Sequence, residues 1–186
     1  LVEAATRGDG NEGEVVTHNA RGITGIPQKI PYSGHLVVVG EAFIRPSDFA
    51  KLKDKLLDSS GKPYKNGRNL AAGSVRLLDA RVCKERCVTF MPFNVLEGLD
   101  ALELKSDRLM QLWGYGFTVC PYLKTTAALN QRYIDMGIER LQELAKKHDV
   151  PIDGIVVTYN NVAYSKSCGR TGHHYKAGIA YKFEDD

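Results

Sequence analysis

Lys182 lies in the run Gly178-Ile179-Ala180-Tyr181-Lys182-Phe183. Strand alternation puts Ile179, Tyr181 and Phe183 on one face and Gly178, Ala180 and Lys182 on the other. An ammonium beside glycine and alanine leaves room for a ligand between itself and the sheet. A cation over such a shallow surface is a seat for phosphate. A partner strand precedes it, Ile152-Asp153-Gly154-Ile155-Val156-Val157, opened by an acid and a glycine. A loop rich in glycine, serine and histidine separates the two strands.

Glu41 sits inside Leu36-Val37-Val38-Val39-Gly40-Glu41-Ala42-Phe43-Ile44. A carboxylate in a strand that is apolar on both faces loses hydration, so it must be paired or face a polar cavity. The other possibility is a strand that ends early and leaves Glu41 in water. Arg68 and Arg76 flank Asn69-Leu70-Ala71-Ala72-Gly73-Ser74-Val75. That spacing lets both guanidinium groups lie on one helix face, with small residues between them. Paired arginines suit phosphate, which they grip with planar, bidentate donors. A solvated helix face is the plainer account.

The elements that must hold these residues read as follows. Residues 1–7 form a strand, and a short helical segment follows near 14–21. The strand from His35 to Ile44 is apolar on both faces and is therefore expected to be central in its sheet. Pro46 starts a helix to about residue 59, with Phe49, Leu52, Leu56 and Leu57 at helical spacing. Residues 69–78 are a helix, Val88–Leu96 a strand, and Ser106–Tyr115 a helix stopped by Gly116. Phe117–Cys120 is a short strand, and a longer helix spans roughly 130–148. Strands and helices mix without βαβ regularity. The fold class is therefore α+β, with mainly antiparallel sheets and flanking helices.

Composition narrows the class. The chain has 186 residues, 43% hydrophobic and 25% charged, and a net charge of +3, which describes a globular protein with a core. The charge permits basic patches without proving a nucleic-acid partner. No apolar run approaches membrane-spanning length and no signal-peptide pattern opens the chain, so no membrane partner and a cytoplasmic location are expected. Cys83, Cys87, Cys120 and Cys168 are scattered as reduced thiols; Cys83 and Cys87 are expected on one helical face, but no second pair has zinc spacing. No metal ligands are assigned.

Weaker patterns are set aside. Gly8-Asp9-Gly10-Asn11-Glu12-Gly13 matches the dinucleotide-binding glycine pattern. Its Asp9 and Glu12 would repel a pyrophosphate, however, and no long apolar helix follows. Phe93 alone reads as an ordinary core aromatic. His173 and His174 read as exposed loop residues. Lys146 and Lys147 complement a helix C-terminus.

Taken together, the segments resemble the nucleotidyltransferase (adenylation) domain of bacterial NAD-dependent DNA ligases. The matching stretches are Ala5-Thr6-Arg7-Gly8-Asp9-Gly10 with Gly13-Glu14, Val39-Gly40-Glu41, Arg68 to Arg76 with Asp79, Ile152 to Val156, and Ile179 to Phe183. They span nearly the whole chain in family order. The resemblance implies an incomplete nucleotidyltransferase (ATP-grasp-like ligase) fold, with residues 1–186 forming part of one adenylation domain. The family's nucleophilic lysine, in a Lys-x-Asp-Gly motif, is expected upstream of Leu1. The nicotinamide-mononucleotide-binding domain is also expected there. The oligonucleotide-binding, zinc-finger, helix-hairpin-helix and C-terminal domains are expected outside this chain.

The resemblance further implies that a lysine attacks NAD and releases nicotinamide mononucleotide. The adenylate passes to a 5′-phosphate at a nick in duplex DNA, and a 3′-hydroxyl displaces AMP. Such phosphoryl chemistry depends on positioning and charge neutralisation. By motif, Arg7 contacts the ribose and phosphate region, Glu41 the ribose hydroxyls, Phe93 stacks on adenine, and Val156 lies on the base's other side. Lys182 touches the α-phosphate, Asp153 is the motif carboxylate, and Arg68 and Arg76 serve nick phosphates and the adenylate. Magnesium is implied by the chemistry, and a monomer is expected.

Two departures stand out. The family pattern places a second lysine where this chain has Thr158, which lines the same cofactor face. Lys176, Arg170 or a side chain outside the chain is expected to compensate. Tyr175-Lys176-Ala177 replaces the usual Pro-Arg-Trp. The parent is thus a divergent subgroup or a weakened paralogue. An RNA-ligase or capping-type nucleotidyltransferase and a catalytically inactive nucleic-acid-binding module are the alternatives from other classes.

Overall fold

The computed structural model describes residues 1–8, 12–126, 128, 130–170 and 176–183. In chain order the elements are α1 (Thr17–Ala20), β1 (Val37–Phe43), α2 (Pro46–Leu52), α3 (Gly67–Val75), α4 (Arg81–Glu85) and β2 (Thr89–Glu97). There follow α5 (Lys105–Gly114), α6 (Gln131–Lys147), β3 (Gly154–Thr158), α7 (Val162–Ser167) and β4 (Gly178–Lys182). The strands form two antiparallel ribbons, β1–β2 and β3–β4. This mixed architecture agrees with the α+β expectation.

Two apolar cores flank the first ribbon. One gathers Ile23, Ile44, Leu70, Ala71, Val75, Cys83 and Val88, with Ala42 and Phe49 packed against it. The other gathers Val95, Leu99, Leu109, Leu112 and Phe117, with Leu36 and Val38 packed against it. Leu70, Ala71, Ser74 and Val75 form the buried stripe of α3, which packs on β1, while α5 packs on β2. Leu70 and Leu112 are fully buried, each worth roughly 1.5–3 kcal/mol of burial.

Several elements differ from expectation. β1 pairs with β2 alone among the described residues, so it is not central. Its apolar side chains feed two separate cores instead of filling the middle of one sheet. Residues 1–7 contribute only a bridge, Ala5 to Val15, because one short partner segment is all that they meet. The Phe117–Cys120 segment is not a strand, although Thr118 and Cys120 donate backbone hydrogen bonds to Gly25 and Pro92. The helix from Pro46 stops at Leu52. Helices α4 and α7 were not anticipated; each is too short to show a clear period. Gly116, at φ +95°, does follow the end of α5, and α6 has the expected extent, opened by Asn130, whose side chain accepts from Tyr133 N.

Cys83 is buried and Cys87 exposed, and Cys87 adopts φ 56° beyond the end of α4, so the two do not share a helix. Asp9, Gly10 and Asn11 of the glycine-rich loop lie outside the described residues, as do His173, His174 and Tyr175. No helix of the described residues is long and apolar enough to cross a membrane.

Candidate functional site

The β3–β4 ribbon builds the site's floor. Gly154 pairs with Lys182, Val156 with Ala180 and Thr158 with Gly178. Directly opposed residues of an antiparallel pair project to the same side. Lys182, Val156, Ala180 and Thr158 therefore share one face, as the alternation of β4 predicted. Glycine at 154 is a steric requirement, because a Cβ there would come within 2.4 Å of the Tyr181 carbonyl oxygen. Val156 is 68% exposed on this face.

Asp153, just ahead of β3, ties the ribbon to the rest of the molecule. Its Oδ2 accepts from Lys182 Nζ at 3.1 Å and lies 3.4 Å from Arg68 Nη1. Arg68 Nε in turn lies 2.9 Å from Glu41 Oε1. Four residues from β1, α3, the approach to β3, and β4 thus form one alternating line of charge, Glu41–Arg68–Asp153–Lys182. The hydrogen bond from Lys182 holds the Asp153 carboxyl below the usual carboxylate range, helped by the charges of Lys182 and Arg68. The cluster is solvent-exposed, so each pair adds at most ~1 kcal/mol to stability. Its consequence is orientation. Glu41 is exposed on its strand and paired; the burial that its apolar neighbours implied is absent, since β1 is covered less completely than a central strand would be.

Arg68 stands in the first turn of α3, where the Asn66 side chain caps the helix by accepting from Asn69 N at 2.9 Å. Gly67 lets that turn close on β1, since a Cβ there would come within 2.8 Å of Ile44 O. Arg76 sits at the other end of α3 and pairs with Glu14, Nε to Oε2 at 2.9 Å. The two arginines are therefore drawn to acids on different segments, and the shared face expected from their spacing is not used. Fully buried Asn19 fixes the end of α3 by donating through Nδ2 to Val75 O and Leu77 O, both at 2.7 Å. Arg7 is exposed, and its neighbour Thr6 donates through its backbone N to Glu14 O at 2.9 Å.

Phe93 owes its position to a β-bulge. Val39 pairs with Asn94 and Gly40 with Pro92, which leaves Phe93 opposite no residue. A bulge of this kind re-aims a side chain, and Phe93 is 50% exposed while Met91 and Val95 on the same strand are buried. An exposed ring is not the core aromatic that the bare sequence implied. Phe93, Val156 and Lys182 thus stand on open surface. A cavity of about 380 Å³ lies elsewhere, lined by Tyr32, His35, Glu97 and Lys166 among others, and none of the site residues lines it.

Sequence reasoning missed Lys105 and Asn160. Lys105 Nζ donates to Thr158 Oγ1 at 3.0 Å, and the Thr158 hydroxyl donates to Ala177 O at 3.2 Å. Lys105 is therefore a cation beside Thr158. Asn160 locks α5 against the ribbon: its carbonyl accepts from Lys105 N at 2.8 Å and its Oδ1 from Ser106 N at 2.9 Å. The available signal was a lysine at the first position of a helix, where the dipole favours acids.

A family model described as NAD-dependent DNA ligase adenylation domain matches residues 1–186. A DNA ligase of Ruminiclostridium cellulolyticum is 39% identical, covering 100% of this chain and 28% of its own length. DNA ligases of Lachnoclostridium phytofermentans and Wolinella succinogenes are each 37% identical, covering 100% and 98% of this chain and 28% of their own length. The chain thus spans under a third of these relatives. It belongs to the NAD-dependent DNA ligase adenylation domain family.

Proposed function

We propose that this chain forms the nucleotide-holding part of a DNA ligase that seals nicks in duplex DNA at the expense of NAD. The observation that carries the proposal is the Glu41–Arg68–Asp153–Lys182 line, which links β1, α3, the residue just ahead of β3, and β4 on exposed surface. With exposed Phe93 and Val156 added to that line, an adenylate would find the groups that it needs. Phe93 offers a ring for the base, Val156 an apolar contact for its other side, and Glu41 an acceptor for ribose hydroxyls. Lys182 offers a cation for the α-phosphate, over a floor of glycine and alanine. Arg68 can exchange its carboxylate partners for phosphate, and Asp153 holds both Arg68 and Lys182 in position until it does. Arg76, paired with Glu14, is suited to the phosphates of a nicked duplex, and Arg7, one residue beyond the strand bond from Thr6 to Glu14, to the ribose and phosphate region of the nucleotide.

Glu41 and Asp153 are already engaged with cations. No group of three or more His, Cys, Asp or Glu residues among the described residues forms a metal cage. Magnesium at this face would be held mainly by phosphate oxygens and water, and no step is assigned to it. The chain contains no Lys-x-Asp-Gly motif, so the lysine that receives AMP belongs to sequence outside these 186 residues. We place the working protein in the cytoplasm, acting as a monomer.

Two measurements test this reading. The full-length protein, given NAD and a nicked duplex, is expected to seal the nick, to release nicotinamide mononucleotide, and to gain nothing from ATP. The 186-residue chain given NAD labelled in its adenylate is expected to take up no covalent label. Failure of the full-length protein to become labelled or to seal overturns the proposal.

A further inference from the structure

We infer that Lys105 is a phosphate-contacting residue of the nucleotide face, supplying from α5 the positive charge that Thr158 does not carry. This rests on the nucleotide reading above and extends it to a residue that the motifs do not mark.

The register of the ribbon locates the charge. Lys182 stands opposite Gly154 at one end of the face, and Thr158 stands opposite Gly178 at the other. Three strand residues separate Gly154 from Thr158, a backbone rise of about 13 Å. Lys105 Nζ rests on Thr158 Oγ1 at 3.0 Å. Two lysines are therefore anchored at opposite ends of a floor made of Val156, Ala180 and Gly178, and their long side chains can converge on a phosphate seated between them.

The Lys105 side chain is poorly explained by fold stability. Among the described residues no carboxylate lies within ion-pair distance of it, and Thr158 is its one hydrogen-bond acceptor. It is partly buried, and that burial pushes its ammonium below the usual lysine range. It also occupies the first residue of α5, where the positive end of the helix dipole opposes a cation. Three donors on an ammonium with one used leave the others for a ligand. An anion relieves all of these costs at once.

The position is also rigid. Besides the two Asn160 contacts to the start of α5, Asn160 Nδ2 donates to Ser106 Oγ at 3.0 Å and Val162 N donates to Glu103 O at 2.9 Å. The Thr158 hydroxyl spends its proton on Ala177 O at 3.2 Å, so a lone pair is aimed at Lys105. Thr158 thus works as a rest for an ammonium contributed by another element.

The test uses the full-length protein with Lys105→Met, Lys105→Arg, and Lys105→Met combined with Thr158→Lys. Binding of AMP and of adenosine is measured, together with single-turnover adenylation from NAD and the melting temperature. Lys105→Met is expected to weaken AMP about tenfold or more, to leave adenosine binding unchanged, and to slow adenylation by ~10²–10³, the usual cost of one lost electrostatic donor. Its melting temperature should stay level or rise, because an uncompensated cation has been removed. Lys105→Arg should retain part of the AMP affinity, and the double variant should recover most of it. An AMP affinity within twofold of wild type, an equal loss for AMP and adenosine, or a clear fall in melting temperature would each overturn the assignment. Wild-type protein that binds neither ligand would remove the nucleotide reading itself, and this inference with it.

Discussion

Gly40 lies so close under Pro92 that a methyl group on it would come within 2.7 Å of the Pro92 Cα and 2.4 Å of the Met91 carbonyl oxygen. Both are backbone atoms of β2, which cannot yield as a flexible side chain would. The same closeness sets the bulge that turns Phe93 outward. Gly40→Ala is therefore expected to destabilise the protein by about 1–3 kcal/mol and to weaken AMP binding as the bulge shifts. Phe93→Ala separates the two effects. Its half-exposed ring adds little to the fold, so stability should change by less than ~0.5 kcal/mol. AMP binding should weaken by about 1–3 kcal/mol, the usual worth of a base–aromatic stack. Denaturant melts and AMP titrations of both variants decide. A Phe93→Ala protein that binds AMP like wild type would remove Phe93 from the site.

What the sequence made legible follows from the range of the contacts involved. The alternation of β4 was readable because a strand has period two, and the face shared by Lys182, Ala180 and Gly178 needed no partner to define it. The helix stop at Gly116 was equally local. Glu41 was harder. Its apolar neighbours implied desolvation, but exposure depends on what covers the strand, and Arg68 reaches it from another element. Phe93 is outward only because β2 carries one residue more than β1 opposite Gly40, and local sequence does not disclose a register shift. Lys105 meets Thr158 through Asn160 and the start of α5, a contact between distant segments that no spacing rule reports.

Asp153 divides its carboxylate between Lys182 and Arg68, which makes it a positioning residue with an acid-dependent role. Its proton affinity in the folded state is lowered, chiefly by the Lys182 hydrogen bond. The sign follows from linkage. A carboxyl with a depressed folded value contributes its full stabilisation above the unfolded value near 3.9, and loses it as the pH falls through the depressed value. At neutral pH the tie is therefore constant. Asp153→Asn should flatten the steepest part of acid unfolding below about pH 4 while changing neutral stability by less than ~1 kcal/mol, because the pair is exposed. Its larger effect should fall on AMP, since Lys182 and Arg68 lose their common anchor. Acid melts and AMP titrations check both. A neutral-pH loss well above 1 kcal/mol with AMP affinity intact would make Asp153 a structural residue only.

Thr158→Lys in an otherwise wild-type full-length protein tests whether the space beside Thr158 is already taken. A lysine here would look like the restoration of a missing charge if the site were empty of cations, and adenylation would then hold steady or quicken. The structure argues the reverse, because Lys105 Nζ already rests on the Thr158 hydroxyl. A second ammonium about 4 Å away would repel it by ~1 kcal/mol in water and ~4 kcal/mol at a partly buried surface, and would remove the hydroxyl that holds it. One of the two must lose its proton or swing aside. Single-turnover adenylation is therefore expected to slow about tenfold, equivalent to ~1.4 kcal/mol of barrier. Part of that loss should return at alkaline pH, where Lys105, its proton already loosened by burial, becomes neutral before its new neighbour. A Thr158→Lys protein as fast as wild type or faster at neutral pH would show that Lys105 does not occupy this end of the face when nucleotide is bound.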